Sequence, residues 1–171
     1  MMRKLGMLAM LAALAGCANA PGGPQSAATA GAPEAITLEI RSWGVLRTQW
    51  RLTADGTGSY TRAESDGDFY KPDMVTQPLA GTPDDFRAIV AILQPVRRVA
   101  TAEGGDLPCE RVITDMPYGS VTFEQDDHPI RLDFDIGCRS DETPPVHEAL
   151  AGAQEAVARV ANGHPAAGTN P

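Results

Sequence analysis

Apolar and polar residues alternate along much of this chain, and the alternation marks out strands. Ile36, Leu38 and Ile40 are separated by Thr37 and Glu39, while Leu46, Thr48, Trp50 and Leu52 are separated by Arg47, Gln49 and Arg51. A period of two places one set of side chains on a buried face and the other in water. Ser42-Trp43-Gly44 supplies a turn between these strands. Asp55-Gly56 is a hairpin signal that leads to a third strand near Ser59 to Ala63, so the three form a meander. Glu64 to Asp68 reads as loop, and Met74 to Leu79 as a short edge strand limited by Pro78.

The period then changes. Thr82-Pro83-Asp84-Asp85 combines a capping hydroxyl, a proline where no donor is needed, and carboxylates at the positive end of a helix. Phe86, Ile89, Val90 and Leu93 follow at helical spacing, and Pro95 predicts the end of that helix. Alternation resumes with Val121 and Phe123, and with Ile130, Leu132, Phe134 and Ile136, joined by a turn at Asp126-Asp127-His128. Cys138 shares the parity of the apolar set, which aims its sulfur inward. A last helix from Thr143-Pro144 carries Val146, Leu150, Ala153, Val157, Val160 and Ala161 on one stripe, and Asn162-Gly163 ends it. The fold class that follows is α+β: an antiparallel sheet of about five strands with two helices packed on one face.

The first residues have a different character. Arg3 and Lys4 precede an apolar run from Leu5 to Ala13, too short for a stable bilayer span and suited to a cleaved export signal. The run ends in Leu14-Ala15-Gly16-Cys17. This resembles the lipobox of bacterial lipoproteins, and the resemblance implies cleavage before Cys17, a diacylglyceryl group on its thiol and acylation, typically by palmitate, of the new amino terminus. Several acyl chains anchor durably, since each buried methylene contributes about 0.8 kcal/mol. Ala18 follows the cysteine instead of the aspartate that retains many enteric lipoproteins at the inner membrane. Under those sorting rules the address is the periplasmic face of the outer membrane.

The chain then divides into a signal over 1–16, a lipidated cysteine and Ala/Gly/Pro/Ser/Thr-rich tether over 17–33, one α+β domain over 34–163 and a tail over 164–171. Tether and tail have too few large apolar residues to offset ordering entropy, so both are expected to be flexible. The net charge of -8, with no cluster of Lys and Arg, disfavours nucleic acid. Cys109 and Cys138 remain as one pair in an oxidising compartment, where a structural disulfide is expected. Their spacing is neither that of a redox C-x-x-C motif nor that of paired zinc ligands.

No sequence motif for nucleophilic catalysis, phosphate binding or dinucleotide binding is present, and no cofactor or metal site is expected. His128 beside Asp126 and Asp127, the acidic stretch Glu64-Asp66-Asp68-Asp73, and Asp133 with Asp135 are each read as solvated polar positions. His147 is read as an exposed helical residue and His164 as part of the tail. Thr114 to Gly119 is the most distinctive irregular segment, and it makes Tyr118, with Asp115, the candidate partner-binding residue. The layout resembles small envelope lipoproteins of Gram-negative bacteria, a likeness that carries no activity with it. The reading of function is a lipid-anchored, non-enzymatic protein-binding or structural module with an envelope protein as its partner. The alternatives are an inhibitor of a basic secreted enzyme such as lysozyme, or a small periplasmic metal-dependent hydrolase using His128.

Overall fold

The order of elements is β1 (Ala35–Ser42), β2 (Val45–Thr53), β3 (Thr57–Ala63), β4 (Met74–Ala80), α1 (Pro83–Ile92), α2 (Gln94–Ala102), β5 (Arg111–Val112), β6 (Tyr118–Glu124), β7 (Ile130–Asp135), β8 (Cys138–Arg139) and α3 (Thr143–Ala161). They come from a computed structural model that describes residues 32–102, 107–125 and 129–167. The expected export signal, Cys17, nearly all of the expected tether and the expected turn at Asp126-Asp127-His128 lie outside the described residues.

Six strands form one antiparallel sheet in the order β4-β3-β2-β1-β6-β7, and β5 pairs with β8 in a small second sheet. Register follows from the alternation. Ile36 pairs with Leu52 on one side and Phe123 on the other, and Leu38 pairs with Trp50 and Val121. Leu132 of β7 continues the row beyond Val121. All these side chains are fully buried, so a slip of one residue in any strand would put its apolar set in water. The opposite face is polar, with Thr37, Gln49 and Thr122 half-buried and ion pairs of 2.6 Å between Arg51 and Glu124 and 2.8 Å between Arg131 and Asp133. Such exposed pairs contribute at most about 1 kcal/mol each.

The helices cover the apolar face, with α2 against β7 and α3 against β3 and β4. α1 starts with a capping box: Thr82 Oγ1 accepts from the Asp85 amide, and Asp85 Oδ2 accepts from the Thr82 amide at 2.8 Å. α1 ends at Ile92, ahead of Pro95 as the sequence predicts, but a second helix that the sequence does not announce follows at once. The chain breaks at Leu93, whose amide still reaches Ile89 O at 3.0 Å, and Pro95 falls in the first turn of α2, where its missing donor costs little. α3 buries Val146, Leu150, Ala153, Val157 and Val160. Gln154, between them, accepts a 3.2 Å hydrogen bond from the indole of fully buried Trp50, which satisfies the donor that this large side chain carries into the core. The start of α3 has no side-chain cap, but Pro144 and Pro145 have no N–H and leave fewer donors to satisfy.

The ordered structure runs past the expected end at residue 163. Ala166 is fully buried, and its amide donates to Asp85 Oδ1 at 2.7 Å. Arg159 holds the same stretch through the carbonyls of Pro165 and Ala166. The beginning of the tail is therefore docked, not loose. Burial pushes the Asp85 carboxyl upward, but the hydrogen bonds from the Ala166 amide and from the Thr82 hydroxyl and amide outweigh it and hold its pKa below the ordinary value. No helix among the described residues is long and apolar enough to cross a membrane.

Candidate functional site

The segment between β5 and β6 is built by two constraints. Asp115 takes a left-handed backbone, φ +68°, which an aspartate tolerates better than most residues. Pro117 O then accepts from the Ile136 amide at 2.9 Å, and β6 begins at Tyr118, between Arg41 and Asp135 in register. Tyr118 is partly exposed, and its Oη accepts a 3.1 Å hydrogen bond from the Gly44 amide. The phenol is thus pinned to the tip of the β1–β2 hairpin, while Asp115 projects into solvent.

Beside Tyr118 the chain is stapled. Cys109 and Cys138 are joined, with Cα atoms 5.4 Å apart, Cys138 buried and Cys109 exposed. β7 stops at Asp135, and a turn at Ile136-Gly137 passes the chain to β8, where Cys138 faces Val112 in register. Tyr118, Val112, Phe134 and the bridge line an open groove of ≈ 460 Å³.

What the sequence pattern does not reveal is how much apolar surface gathers around this point. The large hydrophobic side chains exposed among the described residues are Trp43, Phe69, Tyr70, Met74, Val112, Ile113 and Tyr118. Topology brings them all to one end of the sheet, because Trp43 caps the β1–β2 hairpin, Phe69 and Tyr70 lie in the β3–β4 connection and Met74 opens β4, and Val112 of β5 and Ile113 lead to Tyr118, which opens β6. Trp43 is 60 % exposed at φ +53°, next to Gly44 at φ +79°. Two positive φ values in succession suit the twist of a tight hairpin, but asparagine or glycine is the ordinary choice there. Phe69 and Tyr70 meet edge to face at 5.3 Å, and the Arg47 guanidinium lies 4.6 Å over the Phe69 ring. Of this surface, the sequence singles out Tyr118 alone, while Trp43 reads there only as part of a turn triplet.

The carboxylates considered for chemistry have structural tasks. Asp133 is paired with Arg131, and Asp135 Oδ1 accepts from the Gly137 amide at 2.6 Å. Asp66 accepts from Ser65, and Asp68 from the Tyr70 amide. Among the described residues no three His, Cys, Asp or Glu side chains come together to hold a metal ion, and His128 lies outside them.

His147 departs from the exposed position that its place in the helix suggests. It is half-buried, and its Nε2 is buried without a hydrogen-bond partner. Burial lowers its pKa, and the nearby Arg139 adds to the effect against the opposing influence of the Asp135 backbone and carboxylate. The unfolded chain therefore binds the proton first, so stability is complete above about pH 6.5 and falls as pH drops through the depressed folded value. His147→Gln is expected to show a smaller loss of thermal midpoint between pH 7.5 and 5.5 than the parent chain; equal losses would remove His147 from the account.

No protein-family model matches the chain, and no curated protein matches it in sequence. Its functional reading rests on its own residues.

Proposed function

We propose that this chain is a lipid-anchored envelope protein whose domain is a non-enzymatic protein-binding module, held at the periplasmic face of the outer membrane by acylated Cys17. The observation that carries the binding reading is the collection of exposed aromatic and aliphatic side chains at one end of the sheet. Leaving such side chains partly in water forgoes a fraction of the roughly 1.5 to 3 kcal/mol that full burial of each would give, and concentrating them in one region is a usual mark of an interaction surface. Tyr118 adds preorganisation, since its ring is held by the Gly44 amide and has less freedom to lose on binding.

The anchor is supported by the Leu14-Ala15-Gly16-Cys17 sequence behind a short basic and apolar leader. Its test is direct. Cys17→Ser is expected to abolish uptake of labelled fatty acid and to shift the chain out of the membrane fraction. A serine variant that stays with the membrane, beside a parent that takes up no fatty acid, would refute the anchor. For binding, Tyr118→Ala is expected to reduce partner capture in intact envelopes more than His128→Ala at matched thermal stability. The reverse order, accompanied by lost metal binding, would favour a His128-dependent enzyme.

A further inference from the structure

We infer that the partner seated on this aromatic end is a basic protein. The inference rests on the protein-binding reading above and adds the chemistry of what is bound.

The loop that carries Phe69 and Tyr70 also holds Glu64, Asp66, Asp68 and Asp73 against one cation, Lys71. None of the four carboxylates belongs to an ion pair among the described residues. Two arginines of the same region are engaged within the domain: Arg41 binds Glu39 and the Gly44 carbonyl, and Arg47 donates to the Phe69 carbonyl while stacking on its ring. Arg47 keeps its charge, since a carbonyl and a ring do not cancel it, and Arg62 is exposed on β3 two residues before Glu64. With Lys71, three cations thus face the four carboxylates, and the margin of the apolar contact area carries a small excess of negative charge. A cationic surface complements both, gaining steering from the acids and burial from the aromatics. The acids do not form a site themselves; they select the charge of what the aromatics bind.

Other occupants fit less well. A second copy docked through a two-fold axis would bring the acidic loops toward one another. An anionic bilayer surface or a nucleic acid would be repelled by them.

Trp43 supplies an independent sign that this end is kept for contact. A bulky side chain at φ +53° is strained where asparagine or glycine would not be, and it is 60 % exposed, so the domain gains no core packing in return. Strain at an exposed tip, retained without packing, points to a use outside the domain.

The experiment places a photoreactive benzoylphenylalanine at Tyr70, or in a second variant at Trp43, in the full anchored chain, with Thr122 on the polar sheet face as the control position. Crosslinking in intact envelopes is followed by identification of each adduct. The expected result is one discrete protein adduct from Tyr70 and Trp43, absent from Thr122, whose partner has an isoelectric point above about 9. Its yield should fall about tenfold in membranes washed at about 1 M salt, where the screening length is about 3 Å. Trp43→Asn should lower the yield from Tyr70 at least fivefold while the thermal midpoint holds or rises. An adduct with an acidic or neutral protein, or one indifferent to salt, overturns the basic-partner inference and leaves the binding module standing. Adducts only with lipid or with a second copy, or none at either position, overturn both.

Discussion

Replacing Cys109 and Cys138 together by alanine is expected to destabilise the domain by about 3 to 4 kcal/mol. The bridge spans a sequence separation of 29, and in the chain-entropy account its main effect is to restrict the unfolded ensemble. The native side adds to this. β5 and β8 have two residues each, too short to hold one another without the covalent link, and they carry the segment that ends at Tyr118. Denaturant unfolding under non-reducing conditions measures the loss, and proteolysis should strike between residues 107 and 117 before the domain unfolds globally. No redox activity should accompany the change. A loss below about 1 kcal/mol would mean that the two short strands are held by packing alone.

Gly56→Ala is expected to cost about 3 kcal/mol or more, although it adds a single methyl group. Gly56 sits at φ +88° in the β2–β3 hairpin, where a side chain costs about 1 to 2 kcal/mol. A Cβ there would also lie 2.4 Å from the Thr82 backbone, at the start of α1. Neither partner yields easily, because the Gly56 carbonyl accepts from the Gly81 amide at 3.0 Å and Thr82 is fixed by its capping box with Asp85. Forcing a methyl group into a packed contact adds roughly 1 to 3 kcal/mol. Gly44→Ala is the control: its φ is +79°, but nothing lies within 4 Å of the added atom, so its cost should be the backbone part alone. Equal losses for the two variants would show that the Thr82 contact relaxes freely.

The strands are legible in the sequence because their alternation is a local consequence of burial on one face. Ile36, Leu38, Trp50, Leu52, Val121, Phe123 and Leu132 fall on the apolar parity of their strands, and all are buried. The hairpin turns and the capping box are legible for similar reasons, since each depends on side chains within a few residues of one another. α2 is hidden by Pro95, whose effect depends on whether the helix axis bends before it. β5 and β8 are too short to show a period. The docking of Ala166 leaves no trace, because it is made by a backbone amide that any non-proline residue would provide. At the candidate site, Tyr118 and Asp115 stand out through turn chemistry. The larger surface does not, because Trp43, Phe69 and Tyr70 lie on separate connections that only the strand order brings to one end.

The docked start of the tail bears on how the protein can be handled. Asp85 and Arg159 fasten residues 165 and 166 beside the start of α1, at the end of the sheet where β1 begins and β4 finishes. The two ends of the folded region therefore leave from the side opposite Trp43 and Tyr118. A fluorescent or affinity fusion placed after residue 167 would sit away from the aromatic surface and leave it open to its partner. A linker joining the two ends would allow a permuted chain to be opened within 64–73, and loss of capture in such a chain with an intact fold would mark that loop as part of the contact.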